Sequence, residues 1–202
     1  WALGYAIAYP AWPLIKGATP GLLGYTSRGE LAETVTAAKD AQKDKDARWT
    51  KKNNVTYFGY KNHVCVDVKH KIIRNWAVTN AAVHDSRIFE ELIDDDNTRR
   101  DLWADSAYRS ALSLEQLKQW GLRENVQRKG VRNKPLSERE QQGNRTRARI
   151  RARVEHVFGI QLMRAGSLII RTIGIARARC KIGLRNLAYN LTRYGRLTAA
   201  GG

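Results

Sequence analysis

Two acids in this sequence stand where carboxylates do chemistry. Asp105 follows the short apolar run Leu102-Trp103-Ala104. Glu155 is the one acid among residues 141–202, which hold 13 Lys and Arg. A carboxylate just past the end of a buried strand is a common catalytic position in α/β folds. Carboxylates brought together can hold two divalent cations, one activating an attacking oxygen and the other stabilising a leaving oxygen. That is the chemistry of phosphodiester hydrolysis and transfer. Hard oxygen ligands suit Mg²⁺ or Mn²⁺. The arginines around Glu155 (Arg147, Arg149, Arg151 and Arg153), His156, and the loop cations Lys129 and Arg132 are then candidates for holding DNA phosphates. Both acids also have plainer readings. Glu155 lies one helical turn after Arg151 and suits a solvated ion pair. Asp105 suits a helix cap.

Other titratable groups give weaker signals. Asp67 falls in an aromatic and β-branched stretch and reads as structural, or as support for the site. Asp85, after His84, reads as a helix cap, with Ser86 the alternative. His63, His70, His84 and His156 show no metal-ligand spacing. Cys65 and Cys180 are far apart, which excludes a zinc knuckle or a disulfide framework and fits a reducing cytoplasm.

The elements that must position the two acids are partly legible. Tyr57 to Asp67 and Ile72 to Thr79 read as strands joined by the polar turn Val68 to Lys71, an antiparallel hairpin. Ile88, Phe89, Leu92 and Ile93 follow helical spacing. After the polar break Asp94-Asp95-Asp96-Asn97, Leu102 to Ala104 reads as a short strand ending at Asp105. Ser113 to Trp120 reads as a helix closed by Gly121, and Leu122 to Gln127 as a further strand. Residues 128–144 read as a polar loop or insertion. Helices are expected over Arg145 to Met163 and from about Ile173 to Leu191. Residues 31–48 suggest a short helix running into a polar linker.

Residues 1–30 differ from the rest. They are rich in Gly, Pro, Ala and aromatics, and the first acid is Glu30. An irregular arm is expected there, with the alternative that residues 1–15 supply a strand to the sheet. Pro10, Pro13, Lys16 and Pro20 break the apolar run, so no membrane span is expected. Nor is a signal peptide, since a basic leader is lacking. The chain has no initiator Met, which suggests an artificial or truncated start.

Composition adds a partner. The 202 residues are 43% hydrophobic and carry 36 Lys and Arg against 19 Asp and Glu, a net charge of +17. That size and apolar content suit one folded domain. The charge suits a polyanion, with nucleic acid first.

Several segments then follow one another in order: Asp46-Ala47-Arg48-Trp49-Thr50-Lys51-Lys52, Tyr57-Phe58-Gly59-Tyr60-Lys61-Asn62-His63, Val83-His84-Asp85-Ser86, Trp103-Ala104-Asp105-Ser106-Ala107-Tyr108-Arg109-Ser110, Arg151-Ala152-Arg153-Val154-Glu155-His156-Val157-Phe158-Gly159, Arg171-Thr172-Ile173-Gly174 and Lys181 to Asn190. Together they resemble the transposases of the IS5 group of bacterial insertion sequences, within the IS4-like DDE superfamily. The resemblance covers roughly residues 40–195.

It implies an α/β, ribonuclease H-like mixed sheet flanked by helices, incomplete at the N-terminus, and movement of an insertion element by strand cleavage and transfer. By the same resemblance Asp105 and Glu155 are the second and third catalytic and metal-holding acids. Arg151 would contact DNA or orient Glu155, and the partners would be the element ends, target DNA and further copies of the chain. The division expected is 1–39 non-matching, 40–196 catalytic and 197–202 tail.

The sequence departs from the family's pattern. The family's first Asp has no counterpart before Asp40, residues 1–30 do not resemble the family and its usual N-terminal DNA-binding region is not seen, Leu162 replaces a lysine, and Ala148 replaces a tyrosine. Two readings stay open: an active enzyme with an unrecognised first acid, and an inactive remnant that still binds DNA. A third, a basic protein bound to RNA or ribosomes, lacks the aromatic signatures of RNA modules.

Overall fold

The computed structural model describes residues 2–10, 40, 42–52, 54–93, 100–132, 134–166 and 168–200. The helix expected from residue 31 falls outside these up to residue 39, as does the polar break at 94–97.

A mixed sheet forms the centre, in the order β2 (Arg48–Lys52), β3 (Val55–Val66), β1 (Ala2–Pro10), β5 (Asp101–Ala104) and β6 (Arg123–Val126). β4 (Ile73–Asn80) pairs with β3, and the two-residue β7 (Ile169–Ile170) pairs with β1. β1 runs antiparallel to β3, from Ala2 opposite Val66 to Ala8 opposite Tyr60, and parallel to β5, with Ala2 beside Trp103. β5 and β6 are parallel. The expected irregular arm therefore does not hold for residues 2–10. They form a strand, and the alternative of a strand from residues 1–15 agrees with this placement.

The β3–β4 hairpin forms where aromatic and β-branched residues alternate around a polar turn. Asp67 organises that turn: its Oδ2 accepts from the backbone N–H of His70 and pairs with the His70 ring. Lys71 sits in the left-handed region at φ +58°. From Tyr60 to Val66, β3 is flanked by β1 and β4, and every residue there is buried.

Helices cover both faces. On one, α1 (Phe89–Leu92) and α2 (Ala111–Gln119) pack Phe89, Leu92 and Leu117 onto Cys65, Ala77, Leu102, Ala104, Tyr108 and Val126. On the other, α3 (Glu138–Ala165) and α4 (Ile175–Ala200) pack Val154, Val157 and Tyr189 onto Val64, Val66 and Ile73, with Trp103 against them. Each fully buried Leu, Val or Phe in these layers contributes about 1.5–3 kcal/mol.

Two readings of the helices are corrected. Residues 138–144 are not loop, because α3 already starts at Glu138. Its start is fixed by a capping box: Ser137 Oγ accepts from the Glu140 N–H, and the Glu140 carboxylate accepts from the Ser137 N–H. The Asn144 amide clasps both backbone groups of Arg128, tying the preceding loop to the helix. α4 runs past Leu191, where the expected helix stopped, to Ala200.

α4 also supplies polar groups to the sheet. The Asn190 amide donates to the Ile73 carbonyl and accepts from its N–H, filling the ladder positions of a missing strand. At Gly183 a β-carbon would come within 2.8 Å of the Trp76 ring, so the close approach of α4 to β4 needs a residue without one.

Candidate active site and nucleic-acid interface

Asp105 stands just past the C-terminal end of β5, as its sequence context suggests. It caps the following 3₁₀ turn, Ser106–Tyr108: its Oδ1 accepts from the Ser106 N–H at 2.6 Å. The capping reading of Asp105 therefore holds, and its second oxygen is left for other work. That oxygen faces Arg151, with Oδ2 3.7 Å from one guanidinium nitrogen. A second nitrogen of the same group donates to Glu155 Oε1 at 2.7 Å. One guanidinium thus links Asp105 and Glu155, and the ion pair expected of Glu155 is present.

The remaining cations separate by helix geometry. Residues four apart share a face and residues two apart oppose each other. Arg147, Arg151 and Glu155 follow at four-residue steps along the stripe that meets Asp105. The Nε–H groups of Arg147 and Arg151 are both buried without a hydrogen-bond acceptor among the described residues. Arg149 and Arg153 lie on the opposite stripe. Arg153 turns toward the β3–β4 turn and donates to the carbonyls of Val68 and Arg149. His156 also belongs to that side. Partial burial and the nearby charges of Lys71, Arg193 and Arg196 hold it below the usual histidine range. Lys129 and Arg132 are exposed on the loop after β6. The six Lys and Arg residues and the histidine expected to contact DNA therefore fall on at least two surfaces.

Several residues inside the quoted motifs do work that their motifs alone did not announce. Asp85 does not cap its turn. The His84 ring accepts from the Ser86 N–H instead, and Asp85 is buried in an ion pair with Lys61 at 3.0 Å. Asn62, Asn186 and Gln161 form a buried amide network between β3, α4 and α3. Asp46 accepts from the Ile175 N–H at the start of α4, and Asp44 accepts from the Tyr60 hydroxyl. Asp85, Asp46 and Asp44 are each engaged with partners other than Asp105. The signal that could have found Lys61–Asp85 was a lysine inside the aromatic segment Tyr57 to His63, since a buried charge needs a partner.

A two-metal centre needs more carboxylate than this stripe holds. Among the described residues, no group of three or more His, Cys, Asp or Glu is placed to hold a metal ion. Arg151 supplies the positive charge between the two acids. The described residues therefore do not by themselves make up a complete two-metal site. They do fit a polyanion: two cations on one stripe carry buried N–H donors without acceptors.

The sequence matches the transposase DDE domain family over residues 28–191. It is 30% identical over 165 residues, 82% of this chain, to the transposase for insertion sequence element IS1106 of Neisseria meningitidis serogroup B. The chain spans 56% of that relative's length. A shorter stretch of 42 residues is 60% identical to the cbb3-type cytochrome c oxidase subunit FixP of Rhizobium meliloti (strain 1021), covering 14% of that protein. A stretch of 47 residues is 49% identical to the FixP subunit of Bradyrhizobium diazoefficiens, covering 16% of it. No solved structure matches the chain.

Proposed function

The chain belongs to the transposase DDE domain family, and from that premise we propose that it binds DNA through the Arg147–Arg151 stripe without cleaving it. The observation that carries this is the single guanidinium linking Asp105 to Glu155, with no third carboxylate beside them among the described residues.

The finer family assignment is the IS5 group, for which the motif order from Asp46 to Asn190 is the support. A ribonuclease H-like architecture is supported by the strand order β4-β3-β1-β5-β6, with β1 antiparallel to β3 and parallel to β5. DDE domains generally use divalent ions. Asp105 and Glu155 are the two acids toward which Mg²⁺ or Mn²⁺ would be drawn, short of the full carboxylate set that cleavage needs. The chain's own residues would position phosphates: Arg147 and Arg151 present donors without acceptors, and Lys129 and Arg132 extend the cationic surface along the loop. The partners are duplex DNA of the element ends and of target sites.

Self-association on DNA is supported by α4. Leu184, Leu187, Leu191 and Tyr194 are all more than half exposed and recur at steps of three and four. No helix among the described residues is long and apolar enough to cross a membrane.

The test is fluorescence anisotropy with duplex DNA across a salt series, run beside supercoiled-plasmid nicking in Mg²⁺ or Mn²⁺. Binding that weakens steeply with salt, together with intact plasmid, is expected. Loss of binding at low salt would sink the DNA-binding reading. Nicking abolished by both Asp105→Ala and Glu155→Ala would instead establish an active enzyme.

A further inference from the structure

The incomplete carboxylate set and the second comparison point to one cause. The transposase motifs occupy 46–63, 83–86, 103–110, 151–159, 171–174 and 181–190. The 42-residue match to an oxidase subunit fits before Asp46 without touching any of these motifs, whereas the longest other gap, 111–150, is too short for it. The composition changes in the same place: the first 29 residues contain no acid, in a chain that has 19. The transposase family match itself begins only at residue 28.

We infer that the N-terminal segment, β1 included, derives from an oxidase-subunit reading frame fused to a transposase domain, and that this borrowed strand fills the sheet's centre without bringing the missing carboxylate. This rests on the DDE reading of Asp105 and Glu155.

The register says where that carboxylate is missing. Ala2 lies beside Trp103 in the parallel pair, which brings position 4 level with Asp105, two residues on. Gly4 pairs with Val64 in the antiparallel register. Val64 and Trp103 belong to the layer covered by Val154 and Val157 of α3, the helix that carries Glu155. Paired residues share a face and alternate residues repeat it. Position 4 is therefore on the Asp105–Glu155 face, and position 3, opposite Cys65, is on the other. Gly4 occupies the register point from which an acid would complete a metal-binding trio, and Gly supplies no ligand.

Hydrogen exchange on the unaltered chain tests the strand. Amides 2–8 should be protected as strongly as those of 60–66, and free exchange at 2–8 would overturn the inference. Mn²⁺ titration followed by electron paramagnetic resonance tests the position. Gly4→Asp should bind Mn²⁺ at least about tenfold more tightly than the unaltered chain, and Gly4→Asp/Asp105→Asn should lose that gain. Leu3→Asp, on the opposite face, should show none. Gly4→Asp without any gain, in a chain that still melts cooperatively and still binds DNA, would overturn the placement while leaving the DNA-binding reading intact. Should Gly4→Asp not fold, Ala6→Asp, on the same face one repeat further, takes its place with the same two outcomes. The flanking DNA tests the origin: codons upstream of residue 1 should continue the oxidase-subunit frame, and transposase codons there would refute the fusion.

Discussion

Lys61 of β3 places its ammonium 3.0 Å from the Asp85 carboxylate and 2.8 Å from the Val83 carbonyl, with both charged side chains less than a tenth exposed. The pair joins the central sheet to the turn that leads into α1. Removing one partner strands the other charge in the interior, which costs about 3–5 kcal/mol. Lys61→Met should lower stability by that order in a urea titration. Lys61→Met/Asp85→Leu should recover most of the loss, because an apolar pair of similar volume removes the stranded charge. A single variant as stable as the unaltered chain would show that the carboxylate has another partner.

His63 makes stability depend on pH. It is fully buried between the Thr79 hydroxyl, 2.9 Å from Nε2, and the Tyr108 hydroxyl, 3.3 Å from Nδ1. Burial, reinforced by the charge of Lys61, pushes its pKa down to about 3. The unfolded chain binds this proton near pH 6.5. Between pH 6.5 and 3 the unfolded state therefore holds the extra proton, and stability falls as the pH falls. The contribution is complete above 6.5, and its slope reaches about 1.4 kcal/mol per pH unit at most. His63→Gln should flatten this part of the stability profile measured by denaturant titration. An unchanged slope would assign the acid sensitivity to the carboxylates.

The two arginine stripes of α3 should separate in DNA binding. Arg147 and Arg151 carry buried N–H groups without acceptors, whereas Arg153 spends its guanidinium on the Val68 and Arg149 carbonyls. Replacing Arg147 or Arg151 by Ala should weaken duplex binding and reduce the salt slope by about one each. Arg153→Ala should leave the slope unchanged and lower stability by about 1 kcal/mol through the lost hydrogen bonds. Equal effects on the slope from all three would mean that DNA wraps both faces of the helix.

Much of this fold was legible because its signals are local. Alternation announced the β3–β4 hairpin, and Asp105 was placed by the apolar run before it. What was missed depends on contacts distant in sequence. The start of α3 is set by Ser137, Glu140 and the Asn144 clasp, with no apolar period to reveal it. Asp85 read as a cap because its partner, Lys61, is 24 residues away. The arginines were grouped by their proximity to Glu155, although a spacing of two divides them between opposite helix faces. Strand β1 was only an alternative because Gly, Ala and Pro give weak β signals. Its place comes from pairing with β3 and β5.

The exposed stripe of α4 yields the last prediction. Leu184, Leu187, Leu191 and Tyr194 follow the three-and-four spacing with which one helix packs along another. The same helix carries Arg177, Arg179, Lys181, Arg185, Arg193 and Arg196 and no acid, so two copies repel until their charge is neutralised. Sedimentation should therefore show monomers at low salt and larger assemblies once duplex DNA is added. Leu187→Glu/Leu191→Glu should keep one-to-one DNA binding and lose the assemblies, because carboxylates in the seam would be desolvated without partners. Assemblies that persist in that double variant would place the contact between copies elsewhere on the surface.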